Sequence, residues 1–423
     1  MRSAVSARPT VLLLGNYRPT IALARALGGV GHRVIVGSCV EGSAEFGRGS
    51  AEFSRFAAEV WWHPSIERHP DGLIAALRAF LSRRRDVGVV FPVAEHFVRL
   101  VSERRDALPA DRVYVLPPLE LVATMLDKVA AYRLAEAAGL PVAPWARIDR
   151  FEELGPCSAR LGYPIVVRPL GPARLEGRKA LIADAPADLA RMVPVWPPSQ
   201  PALLLQRKVE GRRYNLYFAA QRGRLVRVAA AEVHRTDSPD GTGLAVTGRT
   251  VPVDGTLRGY TETLVDRLAY HGVGCAQYIV APGCTTFLEL NPRIGGNHAI
   301  PEAAGLDLSS VAVVLATAGS PDVPVIEGRP DIVFAWTHGD LAGLRTAIRR
   351  GTLSPREALA WGANVVRTFA TADLHLTWRW DDPLPTLVPY ARRIPGLGRV
   401  FDGRPRAARP PETGYVPLDE THS

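Results

Sequence analysis

The sequence predicts an α/β and α+β protein in which a doubly wound parallel-sheet domain precedes a module of antiparallel sheets. Two patterns lead to this prediction. Residues 10–115 alternate apolar strand-like segments with helical segments, which is typical of a parallel sheet covered by helices on both faces. Residues 165–231 instead carry several short apolar segments separated by turn residues, which is typical of antiparallel strands.

The N-terminal strands can be placed from their apolar runs. We expect a helix at 20–29 and strands at Thr10–Leu14, Arg33–Gly37, Val87–Pro92 and Arg112–Val115. Gly15 follows the first strand, at the edge where doubly wound sheets bind ligands. The fingerprint G-x-G-x-x-G is absent there, so a dinucleotide site is not expected.

The rest of the chain gives a coarser pattern. A helical pattern runs from Leu119 to Gly139 and is interrupted at Asp127-Lys128. Further strands are predicted at 165–168, 180–183, 202–207, 214–220 and 225–231, and further helices near 339–350 and 355–362. Proline and arginine dominate after Phe401, which predicts a disordered tail.

One predicted strand carries polar side chains at alternate positions. In Phe287-Leu288-Glu289-Leu290-Asn291-Pro292-Arg293, the side chains of Glu289, Asn291 and Arg293 share one face, and Leu288 and Leu290 point into a core. A hard cation such as Mg²⁺ prefers oxygen ligands and keeps substrate phosphate in its shell. The pattern therefore suits a metal-phosphate ligand, although a solvated polar face of an edge strand gives the same alternation.

The preceding strand supplies a partner for this face. Residues 275–280 read as a strand, and residues 281–285 read as the turn between the two. With that connection Val280 lies opposite Thr286 and Gln277 lies opposite Glu289, so Gln277 joins the polar face. A slip of one residue would send Gln277 to the core side.

Composition limits the classes of function. The formal net charge of +9 comes from scattered arginines, since Lys128, Lys179 and Lys208 are the only lysines. No basic tract interleaves with aromatic residues, so nucleic acid is not an expected partner, whereas an acidic, phosphate-bearing ligand suits the charge. We expect no signal peptide, no membrane span, no structural zinc among the four cysteines and a reduced, cytoplasmic setting.

Several motifs occur in one order along residues 10–315. They are Asp127-Lys128, Gly162-Tyr163-Pro164-Ile165-Val166-Val167-Arg168-Pro169, Leu205-Gln206-Arg207-Lys208-Val209-Glu210-Gly211, Gln277 and Glu289-Leu290-Asn291-Pro292-Arg293. Together they resemble the ATP-grasp superfamily, which includes carboxylate–amine ligases, biotin carboxylase and carbamoyl phosphate synthase. The resemblance implies a pre-ATP-grasp α/β domain at 8–118, a two-lobed ATP-grasp domain at 119–318 with its hinge near 206–211, an α-rich extension at 319–400 and the tail at 401–423.

The resemblance also implies roles for individual residues. Lys128 and Arg168 contact ATP phosphates, and the segment from Gln206 to Val209, with the backbone of Lys208 and Val209, reads the adenine edge. The implied metal ligands are Gln277, Glu289 and Asn291, and Arg293 is the implied catalytic residue that stabilises the oxyanion or the leaving phosphate. Gln277 and Arg168 match the carbamoyl phosphate synthase variant of the site.

Two positions and one loop depart from the pattern of the family. Acids are usual at the positions of Gln206 and Arg213, and an arginine cannot accept a hydrogen bond from ribose. The loop 171–179 is also poorer in glycine than the usual phosphate-covering loop. Ribose recognition therefore does not follow the pattern.

The function implied is an ATP-dependent carboxylate–amine ligase that works through an acyl phosphate, with ATP and Mg²⁺ or Mn²⁺ as cofactors. Its partners are small carboxylates and amines, and a homodimer is left open. The alternatives are an enzyme that forms a carbamoyl or acyl phosphate without ligation, and an ATP-binding protein without ligase activity. The sequence does not identify the acid or the amine.

Overall fold

The first sheet is parallel and has five strands. The computed structural model describes residues 8–40, 49–170, 175, 180–196 and 201–394. The N-terminal elements are β1 (Thr10–Leu14), α1 (Arg18–Gly29), β2 (Val34–Cys39), β3 (Ala57–His63), α2 (Pro70–Arg83), β4 (Val87–Pro92), α3 (Glu95–Glu103) and β5 (Val113–Tyr114). The strand order is β3-β2-β1-β4-β5 with every pairing parallel, so the carboxyl ends of the strands lie at one edge.

A small antiparallel sheet follows two helices. The helices are α4 (Leu119–Leu126) and α5 (Lys128–Ala137), and the small lobe contains β6 (Trp145–Ile148), α6 (Phe151–Leu161), β7 (Ile165–Pro169), β8 (Leu181–Ala183), α7 (Pro186–Met192) and β9 (Leu203–Arg207). Its strands are ordered β6-β9-β7-β8 and enclose their own apolar core. The break between α4 and α5 lies at Asp127, whose carboxylate accepts hydrogen bonds from the N–H groups of Val129 and Ala130 at 2.8 and 3.0 Å and so caps α5.

The large sheet carries most of the remaining chain. Its elements are β10 (Arg212–Gln221), β11 (Arg224–Thr236), β12 (Ala245–Val251), α8 (Gly255–Arg267), β13 (Gly272–Ala281), β14 (Cys284–Asn291), α9 (Ala299–Ala303), α10 (Leu308–Ala316), β15 (Ile326–Glu327), β16 (Val333–Ala335), α11 (Thr337–Arg349), α12 (Pro355–Thr371), β17 (Leu374–His375) and α13 (Leu384–Ala391). The strand order is β14-β13-β10-β11-β12-β16-β17, and β15 pairs with β11.

The two faces of the large sheet pack against different helices. One face joins α4, α5 and α8 in an apolar core that contains Tyr132, Phe218 and Phe287. The opposite face joins α1, α10 and the parallel sheet in a second core. The large sheet is therefore the element to which the N-terminal domain, the helices and the C-terminal region are all attached.

The predicted fold class is confirmed, since a parallel sheet precedes antiparallel sheets. Most predicted elements are present with shifted ends, whereas the strands β3, β6, β12, β15, β16 and β17 were not predicted. The region 319–394 contains the helices α11, α12 and α13, and it also extends the large sheet through β16 and β17. The predicted domain boundaries stay predictions, and the tail after residue 400 and most of the loop 171–179 lie outside the described residues.

No helix in the described ranges is both long enough and apolar enough to cross a bilayer.

Candidate active site

A row of polar side chains crosses three neighbouring strands of the large sheet. Glu289 pairs with Gln277, and Gln277 pairs with Asn215 on the next strand. One step along, Asn291 pairs with Cys275. Directly paired residues share a face, so the predicted set of Gln277, Glu289 and Asn291 lies together.

The predicted register is correct at Gln277 but wrong nearer the turn. A β-bulge between Gln277 and Tyr278 shifts the pairing by one residue, so Val280 lies opposite Thr285 and not Thr286. The core side of the strand is consequently formed by Phe287 and Leu290, which are 1% and 2% exposed, whereas Leu288 is only partly buried.

Lys128 and Glu289 form an ion pair between the start of α5 and β14. The other oxygen of Glu289 accepts a hydrogen bond from Asn291 Nδ2 at 2.8 Å. Burial by itself raises the pKa of Glu289, but Lys128, Asn291 and Arg168 oppose it and bring the pKa to about 2. Glu289 is therefore an anion at any pH near neutrality.

Arg168 reaches this site from the small lobe. It lies on β7, and its charge is one of those that lower the pKa of Glu289 on the large sheet. Its Nε atom is buried and has no hydrogen-bond partner among the described residues. A guanidinium whose buried Nε–H group is unpaired is suited to a phosphate or a carboxylate ligand.

Arg293 lies just beyond β14 and close to the N-terminal domain. Its Nη2 is 3.4 Å from Asn291 Oδ1 and 3.9 Å from a carboxylate oxygen of Glu95, and Nη1 donates to the carbonyl oxygen of Ile294 at 2.9 Å. Its Nε atom is also buried without a partner within the described part of the chain. The predicted catalytic residue thus adjoins the predicted metal ligands and lies near the edge where the strands of the parallel sheet end.

Arg213 is on the same sheet face, one pairing step from Gln277. Burial lowers the pKa of Arg213, and the charge of Glu289 opposes this effect. Arg213 Nη1 donates to the carbonyl oxygen of Gly243 at 3.0 Å, so its side chain is held against the turn between β11 and β12. Arg213 stands where the resemblance implies an acid, and its positive charge interacts electrostatically with Glu289.

The predicted hinge joins the two antiparallel sheets. β9 ends at Arg207 and β10 begins at Arg212, with Gly211 between them at a φ of 144°. A Cβ atom at Gly211 would lie 2.6 Å from the carbonyl oxygen of Val280, so the close approach to β13 requires glycine.

Residues of the hinge differ in what they offer a ligand. Gln206 is 4% exposed and accepts a hydrogen bond from Tyr132 at 3.1 Å, so its side chain is held in the protein interior. The N–H of Lys208 donates to the carbonyl oxygen of Pro164 at 2.9 Å, and its ammonium pairs with the exposed Glu210 at 3.0 Å.

The donor set is compatible in kind with Mg²⁺. A carboxylate and two carboxamides supply hard oxygen atoms, and phosphate oxygens normally complete such a shell. Within the described ranges no group of three or more His, Cys, Asp or Glu side chains could hold a metal ion, and Glu289 is the one acid among Gln277, Glu289 and Asn291. Because Lys128 pairs with Glu289, metal binding there requires the ammonium to move away from the carboxylate.

Two residues near the site were not predicted from the sequence. Arg18, at the start of α1, donates from Nε to the carbonyl oxygen of Gly296 at 2.8 Å. Asp237, after β11, acts electrostatically on Arg18 and Arg213. The position of Arg18 after the first parallel strand was a usable signal, since ligands bind at that edge. Asp237 lies in the turn-rich segment 234–243, whose sequence suggests a mobile segment on the substrate side, although Asp237 itself is not one of the predicted site residues.

Sequence comparison finds relatives over about half of the chain. The chain is 24% identical over 251 residues to acetyl-CoA carboxylase of Dictyostelium discoideum, covering 51% of this chain and 11% of that protein. It is 24% identical over 205 residues to the large chain of the arginine-specific carbamoyl phosphate synthase of Geobacillus stearothermophilus, covering 46% of this chain and 19% of that protein. The matched segments are thus small parts of these relatives, and no family model matches the chain.

Structural comparison extends the likeness to three quarters of the chain. A biotin carboxylase from Campylobacter jejuni, solved with an ATP analogue, superposes with a TM-score of 0.58 at 15% identity and covers 75% of this chain and 72% of that one. N5-carboxyaminoimidazole ribonucleotide synthetase, solved with ADP, superposes with a TM-score of 0.58 at 16% identity and covers 78% of this chain and 82% of that one. The likeness confirms the predicted two-lobed fold.

Proposed function

Because the chain belongs to the ATP-grasp superfamily, we propose that it is an ATP-dependent ligase that joins a carboxylate to an amine. The observation that carries this proposal is the charge around Glu289. One carboxylate is surrounded by Lys128, Arg168 and Arg213 from three separate segments, with Arg293 next to Asn291. This excess of positive charge suits a triphosphate together with a substrate carboxylate.

Mg²⁺ would be held by Glu289, Asn291 and Gln277, and when bound it supplies charge neutralisation for the phosphates. Lys128 and Arg168 hold the phosphates from the side of α5 and of the small lobe. The adenine edge is read by the Lys208 carbonyl and the Val209 N–H, because the Lys208 N–H is already bonded to Pro164. Arg213 faces the phosphates instead of accepting from ribose.

The proposed reaction has two steps. A carboxylate oxygen of the substrate attacks the γ-phosphorus, the bond from that phosphorus to the bridging oxygen breaks, and ADP leaves. The amine nitrogen then attacks the acyl carbon, the carbon–oxygen bond to phosphate breaks, phosphate leaves with the electron pair, and the nitrogen loses a proton. Arg293 stabilises the charge on the acyl oxygen and on the leaving phosphate.

The test is turnover of ATP by the full chain with a panel of carboxylates and amines in the presence of Mg²⁺. We expect release of ADP and phosphate only when one acid and one amine are both present. Release with the acid alone, trapped by hydroxylamine as a hydroxamate, would instead identify an acyl phosphate-forming enzyme. Tight ATP binding without turnover on any pair would identify an ATP-binding protein.

The metal assignment has its own test. We expect the double variant Glu289→Ala with Asn291→Ala to lose at least about tenfold in affinity for Mg-ATP, measured by calorimetry. Glu262→Ala on the exposed side of α8 is the matched control and leaves the affinity unchanged. An unaltered affinity in the double variant would show that these residues do not hold the metal.

A further inference from the structure

The carboxamide of Asn215 lies in the interior of the protein beside the predicted metal ligand Gln277. Asn215 on β10 pairs directly with Gln277 on β13, and Gln277 pairs with Glu289 on β14. Side chains at directly paired positions of neighbouring strands share a face, and their Cβ atoms are about 5 Å apart. Asn215 therefore extends the row that begins at Glu289 by one strand, toward the middle of the large sheet.

The two ends of the Asn215 carboxamide differ in their partners. Its Nδ2 donates to the hydroxyl oxygen of Tyr217 at 3.3 Å, whereas its Oδ1 is buried and has no hydrogen-bond partner among the described residues. The other buried side-chain atoms without a partner in those residues are nitrogens of arginine and histidine and two hydroxyl oxygens. Asn215 Oδ1 is thus the one buried carboxamide or carboxylate oxygen of the described ranges that lacks a donor, and leaving it so costs free energy.

Tyr217 holds the nitrogen end of this carboxamide. Tyr217 pairs with Cys275, and Cys275 pairs with Asn291, so the Tyr217 side chain lies on the same face of the sheet one step along the strands. Burial raises the pKa of Tyr217, so its hydroxyl is uncharged near neutral pH. Because Nδ2 is engaged with this hydroxyl, the end of the Asn215 carboxamide that is left for Gln277 is the oxygen.

The carboxamide of Gln277 is not held by the protein. Within the described part of the chain no hydrogen bond engages its side chain, which is only partly buried. A glutamine that binds Mg²⁺ does so through its oxygen, and its nitrogen then carries two N–H groups that need acceptors. On one side of Gln277, both oxygens of Glu289 are already engaged, by Lys128 and by Asn291. On the other side, Asn215 Oδ1 is the acceptor that remains.

We propose that Asn215 is a positioning residue that accepts a hydrogen bond from Gln277 Nε2 and thereby turns the Gln277 oxygen toward the metal. This inference rests on the metal site of the proposed function and deepens it. The two ends of a carboxamide have nearly the same size, so a glutamine ligand needs a neighbouring group that distinguishes oxygen from nitrogen. A carboxylate ligand has no such need, because both of its ends are oxygen.

Asn215→Leu is the informative variant. Leucine has nearly the shape of asparagine and carries no polar atom, so the fold should tolerate it and no unpaired oxygen is left behind. We expect Asn215→Leu to weaken binding of Mn²⁺ to the full chain about tenfold, because groups that orient metal ligands commonly change metal affinity by about 10- to 100-fold. Electron paramagnetic resonance of Mn²⁺ measures the affinity.

The same substitution in a Gln277→Glu background separates orientation from folding. A glutamate at position 277 presents an oxygen to the metal in either orientation, so we expect Asn215→Leu to cause no loss of Mn²⁺ affinity there. An asparagine that only supports the fold would cause equal losses in both backgrounds. Asn364→Leu, on α12 and outside the site, is the matched control and should leave Mn²⁺ binding unchanged.

A second variant and a spectroscopic signal test the same contact. Tyr217→Phe removes only the hydroxyl that holds Asn215 Nδ2, and we expect a several-fold loss of Mn²⁺ affinity that is again absent with Gln277→Glu. With Mg²⁺ and ¹⁵N-labelled glutamine side chains, we expect one N–H of Gln277 to be protected from hydrogen exchange in the natural chain but not in Asn215→Leu. The Gln277 signal is identified by its absence in Gln277→Glu.

The inference is overturned if Asn215→Leu binds Mn²⁺ as tightly as the natural chain, or if its loss is the same in both backgrounds. Urea unfolding shows whether each variant folds, and if Asn215→Leu does not, Tyr217→Phe in the two backgrounds decides. Failure of the metal assignment has a different signature, because Mn²⁺ would then bind equally well after Glu289→Ala with Asn291→Ala, and it overturns this inference too. Mn²⁺ binding is measured without substrates, so absence of ligase turnover is a separate result.

Discussion

At Glu289, burial and counter-charge act in opposite directions. Burial disfavours the anion, and Lys128 together with Asn291 and Arg168 more than reverses this effect, so the pKa falls to about 2. Because this folded-state pKa lies below the ordinary value of about 4.3, the ionised carboxylate stabilises the fold above that ordinary value. The contribution is lost as the pH falls toward 2, so titration of Glu289 does not contribute to any pH dependence near neutrality.

Lys128 and a metal ion are alternative counter-charges for Glu289. In Lys128→Gln we expect Mn²⁺, used as a probe, to bind the nucleotide-free protein several-fold more tightly, because the competing ammonium is gone. Mg-ATP affinity should fall about tenfold, about 1.4 kcal/mol, because a phosphate contact is lost. Electron paramagnetic resonance of Mn²⁺ and calorimetry with Mg-ATP give the two affinities.

Lys208→Gln is the control, since it removes only an ammonium that pairs with exposed Glu210 and keeps the hinge backbone. It should leave Mn²⁺ binding as it is. Unchanged Mn²⁺ binding in Lys128→Gln as well would mean that the ion pair and the metal do not compete.

At the scale of single elements, alternation along β14 predicted the polar face but not the bulge. Glu289 and Asn291 are two residues apart on a regular stretch, so a period of two places both correctly. The same period of two predicts that Leu288 is a core residue. Because of the bulge, Phe287 and not Leu288 pairs with Tyr278, and Phe287 lies in the core. A bulge is set by contacts with the neighbouring strand, which a single strand's pattern does not contain.

Two single-residue deletions distinguish the two sides of this bulge. Deleting Leu288 removes the extra residue and leaves Phe287 opposite Tyr278 and Glu289 opposite Gln277, so we expect little loss of stability and retained Mg-ATP binding. Deleting Thr286 places Leu288 opposite Tyr278 and moves Phe287 to the other face. We expect that deletion to cost about 3–5 kcal/mol, as for removal of a buried aromatic side chain.

Urea-induced unfolding measures both deletions. Equal losses of stability would mean that the strand re-registers around either deletion, and that the bulge does not fix which side chains reach the core.

At the scale of the whole molecule, the sequence predicted that a parallel sheet precedes antiparallel sheets, but it did not predict the contacts that residues 319–394 make. The Trp378-Arg379-Trp380-Asp381-Asp382-Pro383 segment looks like core packing of two tryptophans, yet Trp380 is 86% exposed and Asp382 is 2% exposed. Asp382 accepts from Arg25 Nε at 2.8 Å, from Ser54 Oγ at 2.7 Å and from the Arg55 N–H at 2.9 Å. These partners are more than 320 residues away in the chain, so no local sequence pattern predicts them.

Asp382 links the C-terminal region to the N-terminal domain. We expect Asp382→Ala to destabilise the protein by about 3–5 kcal/mol, because it leaves Arg25 charged and buried without its partner. The double variant Arg25→Met with Asp382→Leu should recover most of the loss, since no unpaired charge remains. Urea unfolding of the single and double variants checks both statements.

Asp381→Ala, next in the chain and exposed, is the control and should change stability little. If Asp382→Ala behaved like Asp381→Ala, the buried ion pair would not hold the two ends of the molecule together.

The strand order of the large sheet has a consequence for synthesis on the ribosome. β12 is an interior strand only because β16, more than eighty residues later, lies beside it. The nascent chain can therefore complete the strands that carry Gln277 and Glu289 while the far edge of the same sheet still has open N–H and C=O groups. During that interval the edge is free to mispair or to be captured by a chaperone, and the emergence of residues 333–335 ends the interval.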